Sequence, residues 1–134
     1  MSITIAIFDG PLAGPPRLAV DGAGAMICFE GLVRPMENGE RIEALSYETY
    51  DPMAQDMLGR LAGEVLQKFG LLAVEVAHSR GRVSVGACSF RIQVASRHRQ
   101  EGIAAISEFI DAMKKDVPIW KQAVFSRAPK EPRP

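Results

Sequence analysis

The sequence has little cysteine. Cys28 and Cys88 are its only two thiols in 134 residues, and they form neither a CxxC pair nor a Cys/His zinc spacing. A disulfide framework and a structural zinc site are therefore excluded, and both thiols, set in apolar runs, are expected as small buried core residues. Charge of one sign is lacking too. Sixteen Lys and Arg against 16 Asp and Glu give a formal net charge of +0, which argues against the net basic surface that a broad nucleic-acid footprint needs. No run approaches the roughly 20 apolar residues of a membrane span. The apolar Met1–Phe8 segment has neither the basic leader nor the cleavage site of a signal peptide. A soluble, cytoplasmic chain without membrane or nucleic-acid partners is expected. A Walker loop and a GxGxxG are both missing, which disfavours a nucleoside triphosphate or a dinucleotide. No resident metal or cofactor is expected.

What is present is a hydrophobic content of 47%, enough for one core without staples. Residues 1–125 read as a single domain, and 126–134, with three prolines and four charges, as a disordered tail. Ser2 to Ile7 alternates with period two and predicts a strand. The stretch 10–24, rich in glycine and proline, predicts a loop. Ala25 to Phe29 predicts a buried strand, Arg34 to Glu40 a polar loop bent most sharply at Asn38-Gly39, and Ile42 to Tyr50 another strand. Asp51 as cap and Pro52 as first residue open a helix whose apolar stripe is Met53, Met57, Leu58, Leu61, Val65 and Phe69, closed by a left-handed Gly70. A strand over Leu72–His78, a turn at Arg80-Gly81 and one or two strands within Val83–Ser96 follow, with a break near Gly86. A second helix is expected from Gln100 to Lys115, on a stripe of Ile103, Ile106, Phe109, Ile110 and Met113, and a last strand from Ile119 to Phe125. This order predicts an α+β fold of two layers, with helices on one face of a mixed or antiparallel sheet.

Three segments set polar function beside apolar scaffolding. Phe29 to Arg34 ends a strand in an arginine at the mouth of a glycine-containing loop, although a solvated arginine closing a hairpin reads the same way. Ser96-Arg97-His98-Arg99 leads a strand into a helix. Cations at a helix N-terminus oppose the helix dipole, so they suggest an anion bound there, and His98 offers an acid or base. Lys114 and Lys115 close a helix, an ordinary pattern. Lys121 lies in a strand beside Trp120, the only tryptophan, where partial desolvation would make it a usable base or nucleophile. Arg34, His98, Arg99, Lys114 and Lys121, with no obvious catalytic carboxylate, fit a phosphate or another anionic substrate. The residues alone leave the reaction open.

These segments resemble the catalytic large subunit of molybdopterin synthase, in order, from about Ala23 to Lys121. Gly24-Ala25-Met26-Ile27-Cys28-Phe29-Glu30-Gly31-Leu32-Val33-Arg34 resembles the family's strand-and-arginine signature, and Leu45 to Ala54 its next strand and helix start. His78-Ser79-Arg80-Gly81-Arg82-Val83-Ser84-Val85-Gly86 is similar to the following hairpin. Ser96-Arg97-His98-Arg99 resembles its Ser-x-His-Arg motif, and Lys114 with Pro118-Ile119-Trp120-Lys121 its lysine pair. The sequence departs from the pattern after Lys121, where Gln122-Ala123 replaces an acidic continuation, and at Gly102-Ile103, which replaces Ala-Phe.

The resemblance implies an α/β hammerhead type of fold and a sulfurtransferase. Such an enzyme converts cyclic pyranopterin monophosphate into the dithiolene of molybdopterin. Its sulfur comes from the C-terminal Gly-Gly thiocarboxylate of a ubiquitin-like small subunit, within a heterotetramer built on a homodimer of large subunits. It further implies that Arg34, His98 and Arg99 bind the substrate and its phosphate, that Lys114 meets the incoming tail, and that Lys121 is a general acid/base or cation at the reacting carbons. The cysteines carry no sulfur in that scheme. Two alternatives follow: a non-catalytic homologue that dimerises and docks the small subunit, and a phosphate-ester or RNA-binding domain using the same basic cluster.

Overall fold

The computed structural model describes residues 2–14 and 18–126, so the expected disorder of 126–134 lies outside the described residues except at Ser126. Seven strands and two helices run in the order β1 (Ser2–Asp9), β2 (Ala25–Leu32), β3 (Met36–Glu37), β4 (Glu40–Thr49), α1 (Met53–Phe69), β5 (Ala73–Ser84), β6 (Cys88–Ser96), α2 (Arg99–Asp116) and β7 (Ile119–Phe125). The two-layer α+β expectation holds. All pairings are antiparallel except β1 with β5.

Strand β5 organises the sheet. Its first part, Ala73 to His78, lies between β1 and β6, and β2 adds to the far side of β6. Its last part, Gly81 to Ser84, pairs instead with β4, which also pairs with β7. The expected turn at Arg80-Gly81 is therefore a correction: the strand continues through it. Gly81 has φ +83, a left-handed value open to glycine at little cost, and it bends the strand where the partners change without ending it. The Asn38-Gly39 expectation was sound. Both residues have positive φ, the requirement of a two-residue hairpin turn, and they join β3 to β4.

The main core lies between the helices and the β1-β5-β6-β2 part of the sheet. Leu58, Val74, Val76, Ile92, Val94 and Phe109 are almost fully enclosed there. Burying each such side chain contributes about 1.5–3 kcal/mol. A smaller cluster of Val33, Ile42, Leu45 and Val83 packs under the β4-β7 part.

The helix stripes are rotated from expectation. In α1 the buried residues are Ala54, Leu58, Ala62, Val65 and Leu66, and Met53 is exposed. In α2 they are Gly102, Ala105, Ile106, Phe109 and Met113, and Ile103 is exposed. Counting only large apolar residues missed the alanines and glycine, which allow the helices and sheet to approach closely. A Cβ built on Gly102 would lie 2.6 Å from Ile27 Cδ1 and 2.8 Å from Ser96 Oγ, so the departure at this position fits a tight packing site.

The start of α1 also differs. Pro52 occupies the cap position, after a cis Asp51-Pro52 bond, and no side chain caps the helix. Asp51 is engaged elsewhere, accepting hydrogen bonds from Arg80 and from Thr49 Oγ1. The left-handed Gly70 closes α1 as expected, with φ 61 and ψ 40. Cys88 is buried, but Cys28 is exposed, because β2 is an edge strand with one face left open by the helices.

Candidate functional site

A hollow of about 710 Å³ opens where the end of β2, the middle of β4, the C-terminal end of α2 and the start of β7 converge. Each element delivers its side chain for a local reason. Arg34 follows the end of β2, where Val33 is anchored in the smaller core cluster and holds the exit of the strand. Lys114 occupies the last turn of α2, where a cation meets the negative end of the helix dipole. Lys121 is placed by register, since β7 pairs with β4 so that Lys121 stands opposite Tyr47. All three line the hollow. Lys121 has its side chain about half exposed, at 52%, because β7 pairs only with β4. The enclosure expected beside Trp120 is therefore incomplete. Trp120 is itself exposed and meets Tyr50 edge-on, 4.8 Å between ring centres.

The floor is aromatic and small-polar. Phe29, Tyr47, His78, Ser89 and Phe90 line it. Tyr47 donates its hydroxyl hydrogen to Ser89 Oγ at 2.9 Å, and its ring meets that of His78 edge-on at 5.2 Å. Neither Tyr47 nor His78 was singled out from the sequence. The available signal was a histidine at the position where the Val74, Val76 alternation calls for another apolar residue.

Two carboxylates border the hollow, and both are paired. Glu30 accepts from Arg91 Nη2 at 2.8 Å, and this hydrogen bond is the main reason its carboxyl lies below the usual range. Glu37 Oε1 lies 3.4 Å from Lys121 Nζ. A carboxylate thus neighbours Lys121 from the β3-β4 hairpin, although none follows it directly in sequence. Arg34 and Lys114 have no ion-pair or hydrogen-bond partner among the described residues. Cys88 offers no nucleophile, since burial, first among several causes, pushes its thiol up. No group of three or more His, Cys, Asp or Glu suited to a metal occurs among the described residues. The arrangement can neutralise an anion over an aromatic floor.

His98 and Arg99 lie elsewhere. They are exposed at the N-terminal end of α2. Lys114 is fifteen residues beyond Arg99, roughly 22 Å along a helix rising 1.5 Å per residue. His98 Nδ1 lies 3.5 Å from Glu101 Oε2, and its backbone carbonyl accepts from Ser96 Oγ at 2.6 Å. One chain brings Arg34, Lys114 and Lys121 together and leaves His98 and Arg99 apart from them.

The family model of the MoaE protein matches residues 15–116. A molybdopterin synthase catalytic subunit from Thermoplasma volcanium is 39% identical over 109 residues, covering 81% of this chain and 80% of that protein. The chain belongs to the MoaE family. Its fold agrees with that of other MoaE relatives. The crystal structure of molybdopterin synthase from Staphylococcus aureus superposes with a TM-score of 0.76 at 31% identity, covering 82% of this chain and 80% of that one. A protein–protein complex of subunits 1 and 2 of the molybdopterin-converting factor from Helicobacter pylori 26695 contains a chain with the same fold, at TM-score 0.70, 22% identity and coverage of 96% and 93%. No helix among the described residues of this MoaE protein is long and apolar enough to cross a membrane.

Proposed function

We propose that this chain catalyses the sulfur transfer that turns cyclic pyranopterin monophosphate into molybdopterin, in the cytoplasm, drawing on a ubiquitin-like small subunit with a C-terminal thiocarboxylate. The observation that carries this reading is the meeting of Arg34 and Lys114, both unpartnered among the described residues, with Lys121 in one hollow. The substrate's phosphate and the partner's thiocarboxylate are both anions. Fixed cations offset their mutual repulsion and are already oriented before the charges arrive.

In this scheme the thiocarboxylate sulfur bonds to a substrate carbon as a carbon–oxygen bond at that carbon breaks, its oxygen leaving as water or as the freed phosphate oxygen. This leaves the tail attached as an acyl thioester. Water then cleaves the acyl C–S bond, so that sulfur stays on the pterin and the tail departs as a carboxylate. A second thiocarboxylated tail repeats the sequence at the neighbouring carbon. Lys114, at the rim, holds the thiocarboxylate and the oxyanion formed at the acyl carbon. Lys121 serves the reacting carbons as acid/base or cation, and Arg34 holds phosphate. His98 and Arg99 bind substrate across a homodimer: a second copy supplies the N-terminal end of its α2, which one chain keeps roughly 22 Å from its own Lys114. The Arg99 charge opposes the local dipole and is stabilised once an anion is present.

The test is reconstitution of the chain with a thiocarboxylated small subunit and cyclic pyranopterin monophosphate. Formation of the dithiolene product is expected. A dimer that binds the small subunit and yields no product would instead establish the docking-only alternative. The Glu37 carboxylate beside Lys121 weighs against that alternative, because it gives Lys121 an acidic neighbour despite Gln122-Ala123.

A further inference from the structure

His78, on the floor of the hollow, is left unused by the cation argument. It is 5% exposed, and its Nδ1 lies 2.7 Å from the Ser79 carbonyl oxygen. A carbonyl only accepts, so in the neutral ring Nδ1 carries the hydrogen and Nε2 keeps its lone pair. Nε2 has no hydrogen-bond partner among the described residues. It is also not one of the sealed polar atoms that lack a partner, which are Gln93 Nε2 and Glu101 Oε1. It therefore keeps its exposure through the hollow that His78 lines. Burial, outweighing the Ser79 carbonyl, holds the ring below its ordinary pKa, so the ring stays neutral near pH 7 and Nε2 remains an acceptor.

The surroundings narrow what this acceptor can take. Arg34, Lys114 and Lys121 offer donors only. The Glu30 and Glu37 carboxylates are on Arg91 and Lys121, and the Tyr47 hydroxyl hydrogen is on Ser89. The aromatic faces are close: Tyr47 lies 5.2 Å and Phe90 5.9 Å from the His78 ring, with Phe29 6.1 Å beyond Phe90. A fully ionised phosphate has no hydrogen to give Nε2. A flat nitrogen heterocycle has ring N–H and amino groups to give it and faces that pack on the aromatic rings.

We propose that the floor around His78 is the heterocycle subsite, where Nε2 accepts a hydrogen bond from a ring N–H or amino group of the substrate while the cationic rim holds its anionic end. The assignment rests on the function proposed above and adds the residue that recognises the ring.

The variants His78→Asn and His78→Gln separate the two ring nitrogens. An asparagine amide can replace the Nδ1 donor to Ser79 and leaves nothing at Nε2, whereas a glutamine amide reaches the Nε2 position. Calorimetric titration with a pterin lacking phosphate, and separately with inorganic phosphate, is paired with steady-state kinetics on the reconstituted enzyme. His78→Asn is expected to weaken pterin binding and raise KM about two- to tenfold, the order of one lost hydrogen bond. It should change kcat much less and leave phosphate binding unaltered, and His78→Gln should recover part of the loss. Nitrogen NMR of histidine-labelled wild-type protein gives a readout independent of any folding defect. The pterin should move the His78 Nε2 resonance and inorganic phosphate should not. Wild-type turnover combined with an unmoved resonance, or with an unchanged KM in folded His78→Asn, overturns this inference alone. Absence of wild-type turnover overturns the functional reading and this inference with it.

Discussion

The two ends of α2 both carry cations, and only one end explains itself. At the C-terminus, Lys114 and Lys115 sit where the helix dipole favours positive charge, and Lys114 also faces the hollow. At the N-terminus, His98 and Arg99 stand against the dipole, and the one acidic residue of the first turn is Glu101. Fold stability accounts for the first pair and not for the second. The contrast teaches that charge placed against its local field asks for an explanation outside the chain's own fold, whereas charge placed with it does not. Neither kind of charge says which surfaces meet.

Substitutions at the two ends break or sharpen that contrast. The largest effect is expected from Lys114→Ala and Lys121→Ala, each lowering kcat/KM at least about a hundredfold, roughly 3 kcal/mol of transition-state stabilisation. Their thermal midpoints should stay close to wild type because both side chains are exposed. Wild-type turnover in either variant would remove that lysine from the mechanism. Next comes Gly24→Ala, beside the N-terminal end of α2. Its new Cβ would lie 2.2 Å from the backbone oxygen of Arg97, which cannot swing aside as a side chain can. A loss of roughly 1–3 kcal/mol in urea unfolding is expected, and an unchanged midpoint would refute the close approach.

Arg99→Gln should raise KM about tenfold while increasing stability by roughly 0.5 kcal/mol, since it removes a cation opposed to the dipole. A variant that loses stability instead would mean that Arg99 supports the fold.

The smallest effect concerns pH. His78 is buried with its pKa lowered, so the unfolded chain protonates first as pH falls. The unfolded state binds more protons between the folded pKa and the unfolded value of about 6.5, and stability declines with falling pH across that window. His78→Asn should flatten this part of the profile, as read by urea unfolding between about pH 7.5 and about pH 5. An identical slope in the variant would show that the decline arises elsewhere.

Much of the architecture was legible because periodicity reports burial directly. The strands over Ser2–Ile7 and Ile119–Phe125, the hairpin turn at Asn38-Gly39 and the helix stop at Gly70 follow from the apolar pattern or from backbone freedom at single residues. The rotated helix faces were not legible, because alanine and glycine at close contacts carry no hydrophobic signal comparable with leucine. Gly81 misled for a related reason: a positive φ ends one kind of strand and merely bends another, and the choice depends on β4, a distant partner. At the site, Arg34, Lys114 and Lys121 announced themselves by charge beside apolar sequence. The floor did not. Tyr47, Ser89 and Phe90 are ordinary strand residues until the pairing of β4, β5 and β6 places them under one opening, and long-range pairing is what a local pattern lacks.

Strand β5 belongs to both parts of the sheet, ladder-bonded to β1 and β6 along one stretch and to β4 along the next. His78 stands three residues before Gly81, where the second pairing begins. An opening beneath the hollow would have to break a ladder that also closes the helical core. Amide hydrogens of β5 should consequently exchange with solvent at one shared slow rate on both sides of the bend, which makes the aromatic floor as rigid as the interior from which it extends.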